Sequence, residues 1–151
     1  MTRWIAVTVM ALAATLVPLT PAHATYGPQL PVILYVNADN GTKLARVEGT
    51  LQFDDGNAKY AYSLTLCRYS SYSAPYIRIS VNGTYRDLLS WYGGTTVPWC
   101  TYSGFATVFT GDIDYGSTVR NVSFQLVGSS FSNQNVYKEH YDYLTYDNPY
   151  N

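Results

Sequence analysis

Aromatic side chains that could contact a ligand are concentrated between positions 91 and 102. Trp91, Tyr92, Trp99 and Tyr102 flank a segment rich in glycine and threonine. Indole and phenol rings offer large, rigid contact areas with both apolar and polar atoms, and their faces also stack on sugar rings. These four residues are therefore predicted to bind a polysaccharide or a protein surface. The alternative is structural, with the tryptophans packed against the core and a neighbouring disulfide.

A second group of tyrosines lies near the C-terminus. Tyr137, Tyr141 and Tyr143 are separated by even numbers of residues, so they would share one face of a β-strand. The whole chain contains 16 tyrosines, and tyrosine-rich surfaces suit recognition. Tyrosine also has a high β propensity and pairs well across strands, so packing is the favoured interpretation for this C-terminal group.

Only one histidine, His140, follows the N-terminal segment described below, and any serine–histidine–acid triad must use it. On a strand, Asp142 would point to the same face as His140, whereas Glu139 would point to the opposite face. The chain has no Gly-x-Ser-x-Gly motif to supply a nucleophile. We therefore predict no catalytic residues. A hydrolase that uses His140 with Asp142, or a pair of carboxylates, is the weaker alternative.

Residues that could bind a metal ion are sparse. A structural zinc site needs about four ligands of the Cys or His type, and this chain offers few. Asp112 and Asp114 precede Gly116 in the rhythm of a calcium loop, but Ser123 stands where such a loop needs glutamate. The acidic segments are interpreted as hairpin turns. The sequence therefore predicts no metal and no cofactor.

Residues 1–24 have the layout of a secretory signal peptide. Arg3 provides a positive start, an apolar stretch follows, and Ala22 and Ala24 occupy the positions that a signal peptidase reads. Cleavage after Ala24 leaves residues 25–151, a length typical of one domain. The predicted location is therefore secreted, or extracellular.

Cys67 and Cys100 lie 33 positions apart. Paired cysteines in an exported chain are oxidised, so we predict a Cys67–Cys100 disulfide. The formal net charge is −1 and only 13% of residues are charged, which gives no electrostatic support for a nucleic-acid partner. No membrane span is expected once the signal is cleaved. The oligomeric state stays open.

Alternation with a period of two residues runs through most of the chain. From Val47 to Phe53 every second residue is apolar or glycine, and Asp54–Asn57 then predicts a hairpin turn into residues 58–67. Further strands are predicted at 31–37, 76–82, 85–91, 105–113, 118–127 and 134–146, with 105–113 and 118–127 interpreted as a pair. About eight such strands favour an all-β fold, an antiparallel β-sandwich or a barrel-like variant.

These observations favour a small, secreted, non-catalytic binding domain that recognises a polysaccharide or a protein surface through aromatic residues. The alternative is an extracellular structural or interaction protein that assembles through sheet edges or tyrosine faces. A small secreted hydrolase and a protease inhibitor are weaker alternatives.

Overall fold

The computed structural model describes residues 25–100 and 105–151. The predicted signal peptide at 1–24 lies outside these residues. The described residues contain nine strands and no helix. The strands are β1 (Leu30–Asn37), β2 (Lys43–Phe53), β3 (Lys59–Arg68), β4 (Tyr76–Val81), β5 (Thr84–Ser90), β6 (Thr95–Thr96), β7 (Phe105–Asp114), β8 (Asn121–Phe131) and β9 (Tyr137–Asp147). The two-residue β6 lies between the predicted strands at 85–91 and 105–113, where the sequence predicts no strand.

The strands form two antiparallel sheets, which confirms the predicted β-sandwich. One sheet has the order β1-β2-β3-β7-β6 and the other has the order β5-β4-β8-β9. The predicted disulfide is also confirmed: Cys67 on β3 is bonded to Cys100, and their Cα atoms lie 5.5 Å apart. Within residues 25–100 and 105–151, no helix is long and apolar enough to cross a membrane.

The core lies between the sheets and is filled by the alternating residues that the sequence identifies. Val47 pairs with Leu66 and Leu51 pairs with Tyr62 across β2 and β3. The inner face of the second sheet contributes residues such as Phe124, which is fully buried. Side chains alternate between the two faces of a strand, so the inward faces of the long strands supply most of the core.

The strand pair predicted from residues 105–113 and 118–127 is wrong. The structure places β7 beside β3 and β8 beside β4 and β9, so the two strands belong to different sheets. The connection between them bonds to the β2–β3 turn, because Tyr115 N donates to Ala58 O and Val119 N donates to Asn57 O. Val119 is fully buried. The segment therefore crosses between the sheets and does not form a tight hairpin.

Side chains, not a backbone ladder, join the edge strands β1 and β9. Asp142 Oδ2 accepts a hydrogen bond from Tyr35 N at 3.1 Å, and the Tyr146 hydroxyl donates to Pro31 O. An unpaired strand edge is a site for unwanted pairing with other chains. These contacts provide hydrogen-bond partners for two backbone groups of the β1 edge, and they join the two sheets at this side of the sandwich.

Candidate functional site

Trp91 and Trp99, both predicted to bind a ligand, are half-buried and contact different arginines. The Trp91 ring packs against the main core, and the Arg68 guanidinium lies 5.2 Å from its centroid. Trp99 packs against the smaller cluster around the disulfide, and the Arg46 guanidinium lies 4.9 Å from its ring centroid. Each tryptophan therefore has a packing role.

These contacts place the two rings on opposite sides of the five-stranded sheet. Cys67 and Arg68 are successive residues of β3, so their side chains point to opposite faces. Trp91 lies with Arg68, whereas Trp99 lies with Cys67. The group of aromatic residues predicted to bind a ligand is thus divided between two faces, and Tyr102 lies outside the described residues. Ligand binding by these residues stays a prediction.

Of the three predicted aromatic residues that the structure describes, Trp91, Tyr92 and Trp99, Tyr92 is the exposed one, with 73% of its surface accessible. Its backbone is held because Tyr92 N and Gly93 N both donate to Thr107 Oγ1, at 3.0 and 3.1 Å. Gly93 and Gly94 adopt positive φ angles of 78° and 112°, which glycine takes without strain. These contacts therefore fix the backbone that presents the Tyr92 ring to solvent.

A larger exposed aromatic surface lies on the outer face of the four-stranded sheet. Tyr137, Tyr141 and Tyr143 on β9 are 45%, 66% and 71% exposed. The sequence favours packing for these three tyrosines, but the structure exposes them. The inner positions of β9 belong to the intervening residues such as Leu144, which faces the core. We call this surface the tyrosine face, and it comprises Tyr72, Tyr76, Phe131, Tyr137, Tyr141 and Tyr143.

One end of the tyrosine face is a cluster of three rings in edge-to-face contact. The Tyr72 centroid lies 4.6 Å from that of Phe131 and 6.5 Å from that of Tyr137, and the latter two are 5.9 Å apart. The loop that carries Tyr72 is fixed to β8, since Tyr72 N donates to Ser129 O at 2.9 Å. Aromatic pairs of this geometry stabilise one another beyond simple burial.

The middle of the tyrosine face carries polar groups. The Tyr76 hydroxyl donates to Glu139 Oε1 at 3.3 Å, and the Arg78 guanidinium lies 5.1 Å from the Tyr76 ring centroid. Arg78 also donates to Gln125 Oε1 at 3.4 Å. Burial raises the pKa of Tyr76, and the Glu139 carboxylate raises it further despite the opposing effect of Arg78. Its hydroxyl is therefore a hydrogen-bond donor at neutral pH.

No protein-family model, no curated protein and no solved structure matches the chain. The tyrosine face is therefore identified from its geometry. Its β9 residues are visible as a group in the sequence, but Tyr72, Tyr76 and Phe131 are not. Tyr76 and Phe131 join the surface because β4 and β9 both pair with β8, and Tyr72 joins it through the hydrogen bond of its loop to Ser129. Sequence alternation reveals neither contact.

His140 does not pair with Asp142, which corrects the sequence-based alternative. The Asp142 carboxylate accepts hydrogen bonds from Tyr35 N and Tyr143 N. His140 instead contacts Ser130 and Asp39. In the described part of the chain, no group of three or more His, Cys, Asp or Glu residues could hold a metal ion.

Proposed function

We propose that the chain is an exported binding domain whose tyrosine face recognises a polysaccharide. The observation that carries this proposal is the exposure of Tyr141 and Tyr143, 66% and 71%, on one sheet face beside a polar network. A contiguous exposed patch of large aromatic side chains, rimmed by polar groups, is typical of an interaction site. The Cys67–Cys100 disulfide supports an oxidising, extracellular location.

The mixture of groups on this face fits sugar better than protein. A sugar ring presents an apolar face that stacks on a phenol and hydroxyls that need hydrogen-bond partners around it. Arg78, Gln125 and Glu139 provide donors and acceptors between the aromatic rings. The core of a protein–protein interface is rich in Tyr and Arg but depleted of glutamate, so Glu139 at the centre of the face argues against one. The polar centre of the face therefore favours a polysaccharide.

Assembly through sheet edges has less physical support. The edge strand β5 is exposed along most of its length. However, Arg86 lies 5.8 Å from the Tyr115 ring centroid, and Asp87 is in register with the core residue Ile79. A register shift also interrupts the β4–β5 ladder between Ile79 and Ser80. Inward charges and bulges are features by which proteins prevent edge-to-edge pairing.

The proposal is tested by retention of the purified protein on insoluble polysaccharides: β-1,4-glucan, chitin, xylan and mannan. The Tyr141→Ala/Tyr143→Ala double variant is compared with Tyr85→Ala, which removes a 60% exposed tyrosine from the opposite edge of the same sheet. We expect the double variant to lose about 5- to 150-fold in affinity, from about 0.5–1.5 kcal/mol per ring. Tyr85→Ala should bind as wild type does.

A Tyr92→Ala variant separates the tyrosine face from the predicted loop. Loss of binding in Tyr92→Ala alone would assign recognition to the loop. No retention of the wild-type protein on any of the four polymers would refute the proposal, and a surface assay for protein ligands would then be the appropriate measurement. Circular dichroism of each variant establishes that the sandwich is intact.

A further inference from the structure

A cavity of about 360 Å³ opens at one end of the sandwich. It lies between the β1–β2 turn and the end of the β8–β9 hairpin. Ser130 on β8 and His140 on β9 occupy inner positions of their strands, and Asp39 projects from the turn. All three residues line the cavity. The sequence predicts a non-catalytic domain, and this cluster departs from that expectation.

The three side chains are arranged as a nucleophile, a base and an acid. Ser130 Oγ lies 2.9 Å from His140 Nε2, and His140 Nδ1 lies 3.6 Å from Asp39 Oδ1. When the serine hydroxyl donates to Nε2, the imidazole proton is on Nδ1 and faces the carboxylate. The His140 side chain is only 9% exposed, so its orientation is fixed by its surroundings. This is the order of groups that activates a serine.

Asp39 is positioned beside the imidazole by a hydrogen bond from Lys138 and by the closed β1–β2 turn. Lys138 Nζ donates to Asp39 Oδ2 at 2.8 Å and leaves Oδ1 directed at His140. The turn is closed by Ala38 N donating to Thr42 O at 2.8 Å. The hydrogen bond from Lys138 lowers the pKa of the Asp39 carboxyl. Asp39 is therefore ionised at neutral pH, and its negative charge would stabilise a protonated imidazole.

We propose that Ser130, His140 and Asp39 form an acyl-transfer site that hydrolyses carboxylic esters with a small acyl group. Ser130 Oγ bonds to the ester carbonyl carbon while its proton moves to His140 Nε2. The tetrahedral intermediate then breaks the bond to the alcohol oxygen, which takes that proton from Nε2. Water attacks the acyl-serine in the same way, and the carboxylic acid and free Ser130 result. Asp39 positions His140 and does not exchange a proton.

The cavity also limits the substrate. Its volume lies near the lower end for small-molecule sites, so it admits a short acyl chain while the alcohol extends outward. Asn40 and Asn133 line the same cavity. Side-chain amides are suitable donors to the negative oxygen of a tetrahedral intermediate. This activity does not depend on ligand binding at the tyrosine face.

The test measures covalent labelling of the mature protein by a fluorophosphonate probe, together with hydrolysis of p-nitrophenyl acetate. We expect labelling at Ser130, located by peptide mass spectrometry, and none there in Ser130→Ala. His140→Asn should slow both reactions about 100-fold or more. Ser123→Ala is the matched control, because Ser123 lies on β8 with its hydroxyl bonded to Thr145 on the outer face.

Asp39 is tested by rescue, because its side chain is 72% exposed and its replacement should leave the fold intact. Asp39→Asn should lower the labelling rate about 10-fold or more, and Asp39→Glu should restore most of it. A purely structural role for Asp39 would not give this rescue. Labelling of Ser130 no faster than that of other serines, or labelling unchanged in His140→Asn, would overturn the proposal. Thermal unfolding of each variant separates loss of chemistry from loss of fold.

Discussion

Asp142 is expected to stabilise the side of the sandwich where β1 and β9 meet. Its carboxylate accepts hydrogen bonds from Tyr35 N at 3.1 Å and from Tyr143 N at 2.9 Å. Asp142→Ala leaves both amides without this partner. A hydrogen bond to a charged group contributes about 1.5–3 kcal/mol when buried, and less at a site that water can reach.

We therefore expect Asp142→Ala to lower the free energy of unfolding by about 1–2 kcal/mol, which corresponds to a fall of roughly 3–8 °C in Tm. Asp142→Asn is the matched control, because its amide oxygen can still accept one of the two hydrogen bonds. Urea unfolding gives the global effect. Amide hydrogen exchange gives the local effect, and the Tyr35 amide should lose protection in Asp142→Ala.

If the Tyr35 amide exchanges at the wild-type rate in Asp142→Ala, then the carboxylate does not protect the β1 edge. A loss of stability with the Tyr35 amide still protected would assign the effect to the contact with Tyr143 instead. Asp147→Ala, at the far end of β9, should leave the exchange rate of the Tyr35 amide unchanged.

Three further predictions concern packing and titration. Gly49→Ala should destabilise the fold by at least about 3 kcal/mol in urea unfolding, because a Cβ there would lie 1.9 Å from Ser63 O; Gly128→Ala, which meets only side chains, should cost less. Burial raises the pKa of Tyr60 to about 12, with a smaller contribution from a neighbouring tyrosine. Because the unfolded chain loses this proton near pH 10, the stability that Tyr60 contributes should fall as pH rises from 10 to 12, and Tyr60→Phe should reduce that fall. Trp91 and Trp99 are half-buried, so acrylamide should quench their emission less than that of free indole; equal quenching would contradict their packing contacts.

Local pattern is sufficient to predict which residues of the central strands face the core. Leu64 and Leu66 on β3 alternate with polar neighbours, and both are fully buried. The Asp54 turn is also local: its carboxylate accepts from Ala58 N and Lys59 N, as expected for an acidic residue that closes a turn. The disulfide follows from the number of cysteines and from the predicted export. The strand faces and the turn depend on neighbours in sequence, whereas the disulfide is predictable from composition and the expected export alone.

Strand order and the candidate sites depend on distant residues, and alternation does not reveal them. The β7 and β8 strands resemble a hairpin in sequence. Their connection instead crosses to the other sheet, with Val119 buried in the core between them. Ser130 carries no motif that marks a nucleophile. His140 contacts both Ser130 and Asp39 only because the β1–β2 turn lies beside the start of β9. Trp91 and Trp99 lie on opposite sides of the sheet for the same reason, since proximity in sequence does not determine which face of a sheet a loop covers.

The tyrosine face and the Ser130 cavity are adjacent. Phe131 contacts Tyr72 and Tyr137 in the aromatic cluster and also lines the cavity. A polymer bound along the tyrosine face would therefore place ester groups near Ser130. If both proposals hold, Tyr141→Ala/Tyr143→Ala should hydrolyse p-nitrophenyl acetate at the wild-type rate, because the small ester needs only the cavity. The same variant should release less acetate from an insoluble O-acetylated polysaccharide, in proportion to its lost binding.

Ser130→Ala should show the opposite behaviour, with polymer retention unchanged and both hydrolytic activities absent. This pair of variants separates the two proposals, because each removes one function and leaves the other measurable. Equal release of acetate from the polymer by wild type and the tyrosine double variant would show that the two surfaces act independently. The position of Phe131 in both the tyrosine face and the cavity lining would then have a packing role only.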